Sequence, residues 1–246
     1  MDPKAWGVAG GSAVALLATG IIVASQGRGD VTGDKVPAAY SFVEDFDTLD
    51  VKAWSCEYTC PAIEDGKARF RLKAGVAPDK PGSWSKVVYK PVRFTAARIT
   101  VRFALTDRPE GRPVWWGVAL WDDGPVGDGS QFNEVNFGYT TNEPFSDTQF
   151  YVESAKRGND TSIRVDTGVD LYDGQWHTAT LEYDSEHVSF ALDGRLLKTI
   201  TDGAVIPTDP MRLILGPRLV TGGEPLTGGF TQSIDQVDIT GGRVSF

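Results

Sequence analysis

From Tyr40 onward, apolar and polar residues alternate in short runs separated by turn residues. A period of two marks half-buried strands, because successive side chains leave a strand toward opposite faces. Lys67–Leu72 reads polar, Ala, polar, Phe, polar, Leu, and Arg98–Leu105 continues the pattern. Val114–Trp121, Phe132–Tyr139, Thr148–Glu153, His177–Tyr183, His187–Leu192, Met211–Leu215 and Ile234–Ile239 are further runs of this kind. No stretch after residue 40 holds a helical period. Asp193-Gly194, between Val188–Leu192 and Arg195–Ile200, offers the positive φ angles of a type I′ turn and predicts a hairpin. About a dozen strands without helices imply two packed sheets.

Composition narrows the function. The net charge of −9 and the lack of a Lys/Arg cluster exclude a nucleic-acid partner. Two cysteines and two histidines cannot supply a disulfide framework or a His-rich metal site. Residues 1–25 carry only Asp2 and Lys4 as charges, around an apolar core at Val14–Ala18 and Ile21–Ala24. They read as a signal peptide cut after Ser25 or, uncleaved, as a membrane anchor helix. Either places the rest outside the cell, secreted or held on the outer face of the cytoplasmic membrane. Residues 26–39 read as a flexible linker rich in Gly, Asp and Pro. Residues 40–246 then form one sandwich, within the size range of a single all-β domain.

The order of short motifs carries a resemblance. Phe42-Val43-Glu44-Asp45-Phe46-Asp47 followed by Trp54, the strand ending Val101-Arg102, and the Trp-rich Val114–Trp121 follow one another. Trp176–Tyr183, Phe190–Gly194, Pro210–Leu215 and Ser233–Val237 come after them. This series resembles family 16 glycoside hydrolases, the laminarinases and lichenases. The resemblance implies an all-β, two-sheet jelly-roll sandwich of the concanavalin A-like type and a polysaccharide or glycan partner.

That family presents Glu-x-Asp-x-Glu, sometimes with one extra residue, on one strand. The first Glu is the nucleophile, the last is the acid/base, and retaining hydrolysis needs both. Here the strand is Phe132–Tyr139. Strict alternation puts Glu134, Asn136 and Gly138 on the cleft face and Val135, Phe137 and Tyr139 on the core face. In either register the strand lacks a carboxylate pair. Glu134 is the one candidate catalytic residue there, with Glu153 on the following strand as its candidate partner.

Trp115 and Trp121 share a strand face with Gly117 and Ala119, about 20 Å apart at roughly 3.3 Å per residue. With Glu134, Asn136 and Tyr151 they are the candidate ligand-binding residues. The resemblance also implies a structural Ca²⁺ held by Glu44 or Asp45, Gly66 and Asp235; oxygen ligands suit that ion. Cys56 and Cys60 read as a disulfide closing a small loop in an oxidising compartment. The leading expectation is an exported carbohydrate-binding, lectin-like domain lacking the paired acids. An active retaining endo-β-glucanase with displaced acids, and a structural or adhesive envelope protein, remain open beside it.

Overall fold

A computed structural model describes residues 40–109, 113–140, 146–220 and 224–245. The signal or anchor segment and the linker expected over residues 1–39 lie outside the described residues. Among those described there is no helix, and the chain runs through sixteen strands in order. They are Tyr40–Glu44 (β1), Trp54–Tyr58 (β2), Ala62–Ile63 (β3), Ala68–Leu72 (β4), Ser85–Tyr89 (β5) and Arg93–Thr106 (β6). Val114–Asp122 (β7), Asn133–Tyr139 (β8), Gln149–Lys156 (β9), Asn159–Asp166 (β10) and His177–Tyr183 (β11) follow. Val188–Leu192 (β12), Arg195–Ile200 (β13), Arg212–Leu215 (β14), Arg218–Leu219 (β15) and Phe230–Ser245 (β16) complete the series.

Two antiparallel sheets result. One has the order β13-β12-β11-β6-β16-β4-β3, with β1 also on β16. The other has the order β10-β9-β8-β7-β14-β5-β2, with β15 also on β7. Strands distant in sequence lie side by side, as in a jelly-roll sandwich. The inward residues of both sheets form one apolar layer. Trp54, Trp116, Tyr89, Phe46, Phe70, Phe94, Phe103, Phe137, Phe150, Phe190 and Phe230 are all buried there. Aromatic side chains carry the largest area per residue, so they dominate the energetics of such a core.

The hairpin at Asp193-Gly194 forms as the sequence predicts, with φ of 49° and 77°. Asp193 also accepts from the Thr178 amide (2.7 Å), and its other carboxylate oxygen lies 2.8 Å from His177 Nδ1. Strand β5 escaped the periodicity reading because all five of its residues are buried and nothing alternates. Strand β10 escaped it because it is an edge strand with mostly exposed side chains.

Cys56 and Cys60 are bonded, their Cα atoms 5.1 Å apart. The loop they close holds Tyr58 at φ 64°, at the end of edge strand β2. Three of the four residues expected to hold Ca²⁺ meet protein partners. The Glu44 carboxylate faces inward and accepts from the Phe46 amide (3.1 Å) and Trp54 Nε1 (2.8 Å). Asp45 accepts from the Asp47 amide at 3.4 Å. Asp235 is paired with the Arg102 guanidinium, a cation where a cation would have to bind. Among the described residues no group of three or more His, Cys, Asp or Glu side chains gathers.

Candidate functional site

The second sheet carries a cleft of about 550 Å³ on the face turned away from the core. Strand register explains what meets there, because residues opposite one another across a ladder share a face. One rung runs Arg212–Trp121–Glu134 across β14, β7 and β8. The next runs Ile214–Ala119–Asn136–Glu153–Ser162 across β14, β7, β8, β9 and β10. The third runs Arg218–Trp115–Tyr139–Tyr151–Arg164 across β15, β7, β8, β9 and β10.

The third rung corrects the strict alternation expected of β8. Phe137 pairs with Val152 and Tyr139 with Tyr151, which leaves Gly138 as an extra residue opposite β9. Gly138 sits at φ 109°, a conformation open to glycine and unfavourable for residues with a Cβ. A bulge of this kind reverses the parity of the strand beyond it. Tyr139 therefore lines the cleft instead of joining Val135 and Phe137 in the core. The cleft-facing series along β8 is Glu134, Asn136, Tyr139, which is the family spacing with one extra residue. A glycine inside a strand pattern is the sequence signal that would have exposed this.

The remaining expected residues divide. Trp115, Trp121, Glu134 and Glu153 line the cleft as read from the sequence. Trp121 stacks on Phe132, centroids 5.0 Å apart and planes 9° from parallel, and its Nε1 donates to Asp123 at 2.9 Å. Asn136 is fully buried behind the lining, and its Nδ2 donates to Glu153 at 3.1 Å. Tyr151 stands beside Tyr139, ring centroids 6.2 Å apart, and its hydroxyl accepts from Arg164 at 3.0 Å. Asn136 points to the cleft side but is covered, and Tyr151 stands beside the lining, so neither forms the cleft surface as expected.

Glu153 does lie beside Glu134. The two occupy adjacent strands on one face, one ladder step apart, since Glu134 faces Ala155 and Glu153 faces Asn136. Burial raises the Glu134 carboxyl well above the usual range. The negative charge of Glu153 adds to the rise, and Arg218 opposes it. Burial also raises Glu153, against hydrogen bonds from Ser162 and Asn136 that favour its charged form. Burial holds the Tyr139 phenol up as well, reinforced by the two glutamates. That keeps it a neutral hydroxyl at physiological pH.

The opposite wall holds residues the sequence reading passed over. Tyr58 stacks on Trp84 with centroids 4.4 Å apart. Lys86 Nζ and the Arg218 guanidinium stand 4.3 and 4.2 Å from the Trp84 ring. Lys86 pairs with Glu57 at 2.5 Å and Arg93 with Asp122 at 2.7 Å. The indole nitrogens of Trp84 and Trp115 are buried without a partner among the described residues.

No family model and no curated protein matches the sequence. Solved structures do match. A native glycosidic hydrolase superposes with a TM-score of 0.66 at 16% identity, over 82% of this chain and 96% of the hydrolase. The laminarinase catalytic domain from Thermotoga maritima gives 0.64 at 14%, over 81% and 96%. A β-1,3-1,4-glucanase (lichenase) from a mouse hindgut metagenome gives 0.63 at 17%, over 81% and 98%. The domain has the fold of the family 16 glycoside hydrolases. At these identities the likeness is one of architecture, and the chemistry has to be argued from the cleft itself.

Proposed function

We propose that this chain is a glycan-binding domain that keeps the glucanase cleft and has lost the glucanase acid pair. The carrying observation is the cleft-facing series Glu134, Asn136, Tyr139 along β8. In the family register Glu134 takes the nucleophile position and Asn136 the Asp position. Tyr139 takes the acid/base position. A phenol held above its ordinary pKa is a poor donor to a leaving glycosidic oxygen near neutral pH. Retaining hydrolysis needs a second carboxyl about 5–5.5 Å from the first, and this strand does not supply one. Trp115, Trp121 and the Tyr58–Trp84 stack line a trough for sugar rings, and Glu134 lies in the same lining, where a carboxyl can meet their hydroxyls. The apolar core within residues 14–24 and the Cys56–Cys60 bond support an exported or membrane-anchored location.

A glycan array, followed by titration calorimetry on the best ligands, tests the proposal. Binding without release of reducing ends is the expected result. Trp121→Ala should weaken it by about 2 kcal/mol, near thirtyfold, the scale of a buried aromatic anchor. Absence of binding to any glycan overturns the reading.

One observation favours a second reading. Glu134 and Glu153 share the cleft; burial raises the Glu134 carboxyl well above its ordinary range, while hydrogen bonds from Ser162 and Asn136 favour the charged form of Glu153 against its own burial. Release of reducing ends from a β-glucan by the native chain, abolished in both Glu134→Gln and Glu153→Gln, would establish a hydrolase with a displaced acid.

A further inference from the structure

The cleft does not end at Trp121. It continues past Val88, Arg93 and Arg212 into a second groove of about 610 Å³. Ser55, Tyr89, Pro91, Val92 and Pro210 form its neutral walls, and its charged lining is Lys90, Arg93 and Arg212. Among the described residues no Asp or Glu lines it. On a chain of net charge −9 with 33 acids and 24 bases, an acid-free basic groove runs against the composition. Arg93 is shared with the main cleft and pairs there with Asp122, as Lys86 pairs with Glu57, so Arg212 and Lys90 carry the groove's uncompensated charge. Arg212 is exposed, stands across the ladder from Trp121, and makes no hydrogen bond or ion pair among the described residues. Lys90 donates to the Val51 carbonyl, which leaves its charge uncompensated.

Resting on the glycan-binding reading above, we propose that the ligand is an anionic polysaccharide. Its carboxylate, sulfate or phosphate substituent is received by Arg212, with Lys90, beside a sugar ring seated on Trp121. A guanidinium matches all three anions in geometry, because its parallel N–H donors reach two oxygens at once. The surrounding negative charge does not prevent this at physiological salt, where fields beyond about 8 Å are screened. It does repel polyanions from the rest of the surface, so the groove is where such a polymer docks.

The experiment compares the full chain on alginate, pectate, a sulfated galactan, a phosphorylated mannan, and neutral laminarin and lichenan. Calorimetry at low and physiological salt is the readout. At least one anionic polymer should bind tenfold or more tightly than the neutral ones, with affinity falling as salt rises. The arm that wins identifies the substituent. Arg212→Ala should lower that preference by about tenfold to a hundredfold, the range of a charge-assisted hydrogen bond. Arg212→Lys should retain part of it. Lys198→Ala, on the far edge of the other sheet, should leave it unchanged as a control for net charge. Equal or better binding of neutral glycans by the native chain, or an Arg212→Ala variant with the native preference, overturns this inference while glycan binding stands. Failure of the native chain to bind any polymer overturns both.

Discussion

The bulge at Gly138 should be the most sensitive backbone position in the cleft. Alanine there would hold a φ of 109° that costs a residue with a Cβ about 1–3 kcal/mol. Its Cβ would stand 2.7 Å from Trp116 Cε3 and Cζ3 and 2.9 Å from the Gly117 Cα. Trp116 is 1% exposed and has Phe150 at 5.4 Å and Phe103 at 5.6 Å, so it has nowhere to retreat. Overpacking of this kind adds about 1–3 kcal/mol. Gly138→Ala should therefore destabilise the domain by about 2–6 kcal/mol, or about 4–24 °C in Tm at this size. The strand's route of relief is to flatten the bulge, which withdraws Tyr139 from the cleft. Urea unfolding followed by tryptophan fluorescence measures the loss, and glycan titration measures the consequence. Gly127→Ala is the control, since its φ of 74° is also positive but nothing lies within 4 Å of the added Cβ. It should cost about 1–2 kcal/mol from backbone conformation alone. If Gly138→Ala proves no worse than Gly127→Ala, the steric argument and the role given to the bulge are wrong.

Glu134→Gln should stabilise the protein at pH 7 by about 0.5–2 kcal/mol, the usual size of a favourable substitution. Because the folded pKa lies above the unfolded one, near 4.3, the native carboxyl carries no penalty below that pH. The penalty then grows as pH rises toward the folded pKa. Melting curves of the two proteins should coincide at acid pH and separate as pH rises; a variant less stable at pH 7 would contradict this. Replacing both Cys56 and Cys60 by Ala should cost about 2 kcal/mol in chemical unfolding, as expected for so short a closed loop. A loss near zero would show that the loop is already ordered in the unfolded chain. Addition of EDTA should leave Tm unchanged, since Glu44 and Asp235 are committed to Trp54 and Arg102. A fall of several degrees would reveal a metal held by other atoms.

Strand positions were legible where one face is buried and the other wet, as in β4 and β11, whose burial alternates residue by residue. The order of motifs was enough to point to the hydrolase-like sandwich, and the Cys56–Cys60 bond followed from the expected oxidising compartment and a spacing that allows a small loop. Trp115 and Trp121 could be assigned to the cleft face because β7 keeps its alternation through them. Tyr139 could not be placed by the same rule. One glycine in a positive-φ conformation reverses the parity of everything after it, and a two-residue period contains no record of that.

The sequence alone determined an all-β chain with two apolar faces and a strand, Phe132–Tyr139, that carries one carboxylate, because these are local properties of alternation and residue type. The composition of the cleft is not local. Lys86, Arg93, Arg212 and Arg218 come from four separate strands and converge because β14 and β15 pair with β7, β14 also pairs with β5, and a bridge joins Phe94 at the start of β6 to Met211 beside β14. Glu153 meets Glu134 for the same reason, through the register of β8 on β9. Long-range register is fixed by which faces bury together. Tertiary packing therefore decided that an acidic chain would gather a basic groove at one end of its cleft.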